Sequence, residues 1–554
     1  MPTYTRLTNL SGAEEFPTLS PDGQLLAFAH RAQGGAAIYA QRVGSRKPTN
    51  LTADCSRESS APAFSPDGTQ IAYVSQCGDG GLFVMNATGE NVRRVTSFGS
   101  DPAWSADGRE LVYATEFIQR PYGRQGTSEL WAVEVGSGKT RRVLTTSDGV
   151  QPNVSPHGLR IAYWALPTGG SQRDIWTIPY AGLKAGEQPV AVTNDPAVDW
   201  NPVWAPDGKS LYFLSNRNGA MNLWRVPIDE STGKVLGPAE ALSLPAVEVG
   251  GLAVAKDGRH LAFVDRKTTH ALDRIAFDAD GRVVTKSETL YEGSQEMSDL
   301  DVSPDGKTVA FDSRGAAQDD LFLFSAEGAA IRQLLDDAPK DRHPSFTPDG
   351  KRLIFISDRT GRYEVWSIAT DGSGLTQLTK TDKETLIEPM VSPDGKRIAA
   401  HTSVSAVIFS VDEKGTAGPM EEIRGPADGI LFFPMAWSAD GRTLLGSGVD
   451  LKDHSTISLL TYDIETKKLT ETVPGYRTLG RAQRGSSLGS RLIYRDIDGL
   501  HVADPAVKTD RLVVPHPPSG AINNLACRGS VCYVIRARTT ADIWMRTEPE
   551  AKAR

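Results

Sequence analysis

Ser65-Pro66-Asp67-Gly68, Gln70-Ile71-Ala72-Tyr73-Val74, Leu82-Phe83-Val84-Met85 and Arg93-Arg94-Val95-Thr96 follow one another between residues 65 and 96. In the first phrase Pro has φ already fixed, Asp bonds its own backbone and Gly accepts positive φ, so it is a tight turn between two strands. The second phrase is rich in β-branched and aromatic residues and reads as a strand sandwiched on both faces. The third and fourth read as two further strands. The unit is four antiparallel strands with short connections.

The turn phrase recurs along the chain. It reads Ser20-Pro21-Asp22-Gly23, Ser105-Ala106-Asp107-Gly108, Ser155-Pro156-His157-Gly158, Ala205-Pro206-Asp207-Gly208 and Ala255-Lys256-Asp257-Gly258. It continues as Ser303-Pro304-Asp305-Gly306, Thr347-Pro348-Asp349-Gly350, Ser392-Pro393-Asp394-Gly395 and Ser438-Ala439-Asp440-Gly441. Successive Asp (or His157) positions are 45, 40, 50, 50, 50, 48, 44, 45 and 46 residues apart. Worn copies around Leu488-Gly489-Ser490 and Arg528-Gly529-Ser530 bring the count to twelve units of roughly 46 residues, the period of propeller blades. Almost no stretch reads as a capped amphipathic helix. The fold class expected is all-β: tandem β-propellers with twelve four-stranded blades.

The chain has 554 residues, with 60 basic and 68 acidic side chains and a net charge of −8. Mild acidity without a basic tract argues against nucleic acid as the main partner. No apolar run reaches the ~18 residues that span a bilayer. The start, Met1-Pro2-Thr3-Tyr4-Thr5-Arg6, lacks the apolar stretch of a signal peptide, which fits a part of a larger extracytoplasmic protein.

The last unit stops after a third strand, Ile543-Trp544-Met545, and the chain opens on an orphan fourth strand, Thr5-Arg6-Leu7-Thr8. Ring closure removes exposed sheet edges. The expected partition is two six-bladed rings, residues 1–283 and 284–554. In it, Thr5-Arg6-Leu7-Thr8 completes the blade whose third strand is Asp273-Arg274-Ile275-Ala276-Phe277, and Glu288-Thr289-Leu290-Tyr291 completes the last one. Seven plus five blades, or one large ring, stay open as alternatives.

These hairpins, the strands that follow them, and the loops Ser215-Asn216-Arg217-Asn218-Gly219 and Ser357-Asp358-Arg359-Thr360-Gly361 resemble the PD40 (WD40-like) repeats of TolB-type propellers. Ser313-Arg314-Gly315 is a shortened version of the same loop. The resemblance runs from Thr3 to about Thr547. It implies a propeller like those of bacterial membrane kinases, winged-helix regulators, periplasmic TolB and the non-catalytic domains of oligopeptidases. Fold alone does not choose among these functions.

The search for catalytic motifs is largely negative: no His-Glu-x-x-His, no kinase triplet and no Cys-x-x-Cys. Gly485-Ser486-Ser487-Leu488-Gly489 matches the hydrolase elbow, but that chemistry needs a strand, a turn and then a helix, with Asp and His following. Gly136-Ser137-Gly138-Lys139-Thr140 resembles a phosphate loop in a place that reads as a hairpin. No catalytic residue, metal ligand set or cofactor is expected. Cys55 with Cys77 and Cys527 with Cys532 flank turns, so two disulfides in an oxidising compartment are one reading and four buried thiols the other.

In a propeller the innermost strand of each blade lines the channel, and the residues just before it form a rim. The rim residues expected are Glu15, Ser60, Asp101, Gln151 and Asn201, with Trp200 beside them, and then Asp299, Arg342, His343, Glu388 and Phe433. Arg217, Arg314 and Arg359 should share that face. Polar groups over a funnel suit a cation, sugar or peptide; the same residues also read as solvated loop positions with Arg bonding carbonyls. His157 reads as structural, and Trp131, Trp176, Trp224, Trp366 and Trp544 as inter-blade packing. The function expected is non-catalytic recognition of a protein or small ligand in the periplasm or another extracytoplasmic space. Alternatives are a metal-dependent polysaccharide lyase, or a propeller gating a peptidase.

Overall fold

The structure, a computed structural model, describes residues 2–32, 35–55, 58–118, 121, 128–144, 148–166, 172–278, 281, 283–314, 319–328, 330–381, 385–402, 404–412, 415–450, 456–473, 483–488, 491–496, 498–504, 506–517 and 520–549. All regular elements among them are β-strands, arranged in nine four-stranded sheets and one larger, ten-stranded sheet. Two compact units divide the chain: Met1–Lys267 with Thr539–Arg554, and Thr268–Arg538.

The repeated turn shows why its sequence recurs. The Ser65 hydroxyl donates to Asp67 Oδ1 at 2.6 Å and accepts the Gln70 N–H at 2.9 Å, while Asp67 Oδ1 accepts the Thr69 N–H at 3.0 Å. Gly68 turns back with φ 75° and donates to the Ser65 carbonyl at 2.9 Å. One Ser and one Asp thereby satisfy the donors that a tight hairpin strands. Where His157 replaces Asp, a carboxylate is supplied from elsewhere: Glu230 accepts the His157 N–H at 3.0 Å and meets its ring nitrogen at 2.6 Å.

In the first unit the inner strands are Ala13–Leu19, Ser59–Phe64, Ser100–Trp104, Val150–Val154, Asp199–Trp204 and Glu248–Val254. Each packs beside the next, and Glu248–Val254 packs beside Ala13–Leu19. Second strands are buried on both faces: Arg160–Ala165 is buried at all six positions, as the continuous apolar pattern requires. In the second unit Leu300–Val302 packs between Asp341–Phe346 and Ala521–Arg528.

Two long strands, His260–Phe277 and Val531–Thr547, each belong to two sets of four. In the first unit the set is Glu248–Val254, the start of His260–Phe277, the end of Val531–Thr547, and Thr3–Arg6. In the second it is Ala521–Arg528, the start of Val531–Thr547, the end of His260–Phe277, and Val284–Gly293. This corrects the expected strand completion. Thr3–Arg6 pairs with residues 544–547, and Val284–Gly293 with residues 270–277. The cause is local: Gly281, at φ 61°, donates to the Asp278 carbonyl at 2.9 Å and folds the chain straight back. A short hairpin closes at a lower cost in chain entropy than a pairing with a distant terminus.

Candidate functional site

Every inner strand of the first unit breaks register for two residues, between Glu15 and Thr18, Ser60 and Ala63, Ser100 and Ala103, Val150 and Asn153, Trp200 and Val203, and Val249 and Leu252. The unpaired residues are Phe16-Pro17, Ala61-Pro62, Asp101-Pro102, Gln151-Pro152, Asn201-Pro202 and Gly250-Gly251. Proline has no N–H for the ladder, so five of these six positions are bulges by composition. The residue before each proline is left-handed: φ is 53° at Phe16, 49° at Ala61 and Asp101, 47° at Gln151 and 50° at Asn201. The same device recurs in the second unit at His343-Pro344 (φ 57°) and Glu388-Pro389 (φ 53°).

These bulges line a channel in the first unit, a cavity of about 520 Å³ running from Phe16, Ala61, Asp101, Gln151, Asn201 and Gly250 down to the repeated turns. Asp101, Gln151 and Asn201 sit on three successive inner strands and make one side of the mouth polar. Phe16, Ala61 and the Gly250-Gly251 pair make the other side apolar. Gln151 is buried, its side-chain oxygen accepting from Trp164 Nε1 at 2.7 Å. Burial pushes the Asp101 carboxyl up to about 8, against a backbone N–H from Ile118 and with the Glu116 charge adding to the rise. Asp101 Oδ2 and Asn201 Oδ1 are closed off from solvent and have no hydrogen-bond partner among the described residues. Phe117 leans on Phe16 with ring centroids 5.6 Å apart.

Glu15 and Ser60 do not line this channel; the residues after them, Phe16 and Ala61, do. Glu15 is buried and accepts from Arg266 Nη2 at 2.7 Å. Trp200 is buried in the core. The X-Pro pairs at five of the six inner strands of this unit are the sequence signal that places the register.

In the second unit the expected residues gather into an ionic network. His343 Nδ1 lies 2.6 Å from Asp299 Oδ2, and the Asp299 and His343 N–H groups donate to Asp312 at 2.6 and 3.0 Å. Arg314 bridges Asp299 and Asp312, and Asn524 donates to Asp299. Burial raises the Asp312 carboxyl, opposed by Arg314. Asp299, Asp312 and His343 bring ligand atoms within 4.8 Å of one another, a grouping that could hold an ion. The Arg314 guanidinium against the same carboxylates already supplies the positive charge, so the donor set does not fit a metal. Arg342 is buried in an ion pair with Asp319 and lies over Tyr363. Glu388 is half-buried at its bulge, and Phe433 is buried beside His401.

Arg217 and Arg359 occupy equivalent loops and make the same clamp. Arg217 pairs with Asp199 at 2.8 Å, Asp195 at 3.1 Å and the Ser215 hydroxyl at 2.9 Å, and lies 4.9 Å over Trp224. Arg359 pairs with Asp341 at 2.9 Å, Asp337 at 3.0 Å and Ser357 at 2.8 Å, and lies 5.0 Å over Trp366. Burial lifts Asp341 to about 7, opposed by the Ser357 hydroxyl and Arg359. Beyond these arginines, residues 218–220 and 360–362 are exposed.

Ser487, the serine at the nucleophile position of the elbow match, lies within strand Gln483–Leu488, and Gly489 of that match lies outside the described residues. Gly136 to Lys139 form the turn between strands Leu130–Glu134 and Thr140–Leu144. The cysteines are joined as Cys55–Cys77 and Cys527–Cys532, with Cα atoms 5.9 and 4.0 Å apart.

Two family models match: the Tricorn protease N-terminal beta propeller domain over residues 38–237 and the TolB beta propeller domain over residues 253–428. Tricorn protease homolog 1 of Streptomyces coelicolor is 23% identical over 463 residues, 76% of this chain and 40% of that protein. The protein TolB homolog of Chlorobium luteolum is 28% identical over 173 residues, 31% of this chain and 36% of that protein. Dipeptidyl-peptidase 5 of Porphyromonas gingivalis is 29% identical over 141 residues, 24% of this chain and 20% of that protein. The chain thus spans less than half the length of each of these three. Among solved structures, the crystal structure of the tricorn protease gives a TM-score of 0.34 at 13% identity, covering 93% of this chain and 59% of that one.

Proposed function

We propose that this TolB-like, PD40-repeat β-propeller chain is a non-catalytic recognition module, each unit a six-bladed ring that offers one loop-bearing face to a protein or small ligand. The observation that carries this reading is how the charged residues are used. Arg217, Arg342 and Arg359 are held in ion pairs within the units. The residues left outward, 218–220 and 360–362, are short loop tips of the kind that carry binding on a rigid scaffold. TolB-named relatives and the two disulfides support a periplasmic or other extracytoplasmic setting. Among the described residues no helix is long and apolar enough to cross a membrane.

The test is capture from an envelope extract of the source cell by the immobilised chain, with chemical crosslinks mapped by mass spectrometry. One protein recovered at fixed stoichiometry, with crosslinks clustered on the loop tips around residues 218–220 or 360–362, is the result expected. Cleavage of a peptide or polysaccharide substrate by the purified chain overturns it. Replacing both Arg342 and His343 would be a poor probe, because each is buried and paired.

A further inference from the structure

The two mouths described above differ in what they leave unsatisfied. In the first unit two acceptors, Asp101 Oδ2 and Asn201 Oδ1, are shut off from solvent without a partner among the described residues, and both residues line the channel. Buried acceptors of that kind are costly unless a donor arrives. We propose that the channel of the first unit binds a small amphiphilic primary amine, its ammonium held by Asp101 and Asn201 and its apolar end against Phe16. This rests on the recognition reading of the chain and names the ligand class for one of its sites.

The chemistry of the lining selects the amine. An ammonium has three donors and no acceptor, which matches the two oxygens once Asp101 has given up its proton. Asp101 is the only acidic residue among the described residues lining the channel, too few for a divalent cation, which takes six or more oxygen ligands with several carboxylates. Gln151, on the inner strand between the other two, is engaged by Trp164. Phe16, backed by Phe117, and Ala61 supply the apolar side. The cavity of about 520 Å³ is in the range of small-ligand sites.

Binding carries a proton count. Burial holds the Asp101 carboxyl protonated at neutral pH, so pairing with an ammonium requires that it ionise. One proton leaves to solvent for each amine bound, and no bond other than that O–H is broken. Asp101→Asn is nearly isosteric with the protonated acid and leaves the unliganded fold intact, yet it cannot become an anion.

Titration calorimetry of the full chain tests this, using 2-phenylethylamine as a free amine and the tripeptide Phe-Gly-Gly as a chain terminus. Runs at pH 7 in phosphate and in HEPES, neither a primary amine, count the proton. The result expected is a Kd of about 1 mM or tighter with net proton release, at least tenfold weaker and without proton release in Asp101→Asn, weaker in Phe16→Ala, and unchanged in Glu388→Gln. 3-Phenylpropionate should give no saturable heat. Binding of the tripeptide alone assigns the site to a chain terminus, and of phenylethylamine alone to a free molecule. No saturable heat from either amine, or binding that survives Asp101→Asn, overturns the proposal. The crosslinking result is independent of it, so the recognition reading stands or falls separately.

Discussion

The mouths of the two units use one bulge for opposite ends. At His343 the left-handed residue is locked into a network in which Arg314 bridges the Asp299 and Asp312 carboxylates and the imidazole meets Asp299. At Asp101 and Asn201 the same backbone position carries side chains whose oxygens are buried and unmatched among the described residues. Carboxylates met by a guanidinium are held in place, whereas acceptors met by no donor hold an energetic cost that a ligand relieves. The repeat dictates the bulge, and the residue placed on it decides between structure and site.

The largest effect should come from opening the second unit's ionic interior. Arg342→Met leaves Asp319 buried without its counter-ion and should cost about 3–5 kcal/mol, read as a lower urea midpoint for the transition of that unit. A change under 1 kcal/mol would mean the network there is no tighter than a surface pair.

Next are the disulfides, one in each unit. Cys55–Cys77 closes a separation of 22 residues and Cys527–Cys532 one of only 5. Removing the first as a double Ala variant should cost about 3 kcal/mol and the second about 2 kcal/mol. Equal losses would show that chain entropy is not what separates them.

Asp101 gives the pH signature that the second mouth lacks. Its folded value is raised, so the native state keeps a proton that the unfolded chain loses above about pH 4. Stability therefore falls from about pH 4 to about 8 on this group's account and is flat beyond. Asp101→Asn should be more stable than the parent at pH 8, on the order of 1–3 kcal/mol, and equal to it at pH 3.5. The opposite trend runs through the turn carboxylates: the Ser65 hydroxyl lowers Asp67, and Ser303 does the same for Asp305. Their contribution is present above the ordinary carboxylate range and is lost as pH falls through their lowered values. Matched thermal melts of both proteins from pH 3 to 9 separate the two.

Much of this was legible in the sequence because it is local. Ser, Pro, Asp and Gly in one tetrapeptide fix a turn within six residues, so the turns and the strands they join could be read directly. Glu15 and Ser60 were placed at the mouth in error by one residue, because a bulge resets the alternation of a strand and only the prolines at 17 and 62 mark it. The partners of buried charges lie far off in sequence: Arg266 finds Glu15 at a separation of 251 residues. The pairing of Thr3–Arg6 with the end of Val531–Thr547 was hidden for the same reason, since the local hairpin at Asp278 outcompetes the remote strand.

The smallest effect is the backbone strain itself. Ala61 has φ 49° and a side chain without a polar role, so Ala61→Gly removes a Cβ from a conformation that L-residues avoid. Part of that relief is offset by the greater freedom of Gly in the unfolded chain, leaving a net gain of about 0.5–1 kcal/mol in thermal unfolding. The sixth position provides the contrast. Gly250 is not left-handed; a Cβ there would lie 2.7 Å from the guanidinium carbon of Arg266, whose pair with Glu15 is buried. Gly250→Ala should therefore destabilise, by about 1 kcal/mol or more. If Ala61→Gly is neutral and Gly250→Ala harmless, the bulges are unstrained and the glycine pair is not making room for Arg266. The difference between the two mouths would then rest on their side chains alone.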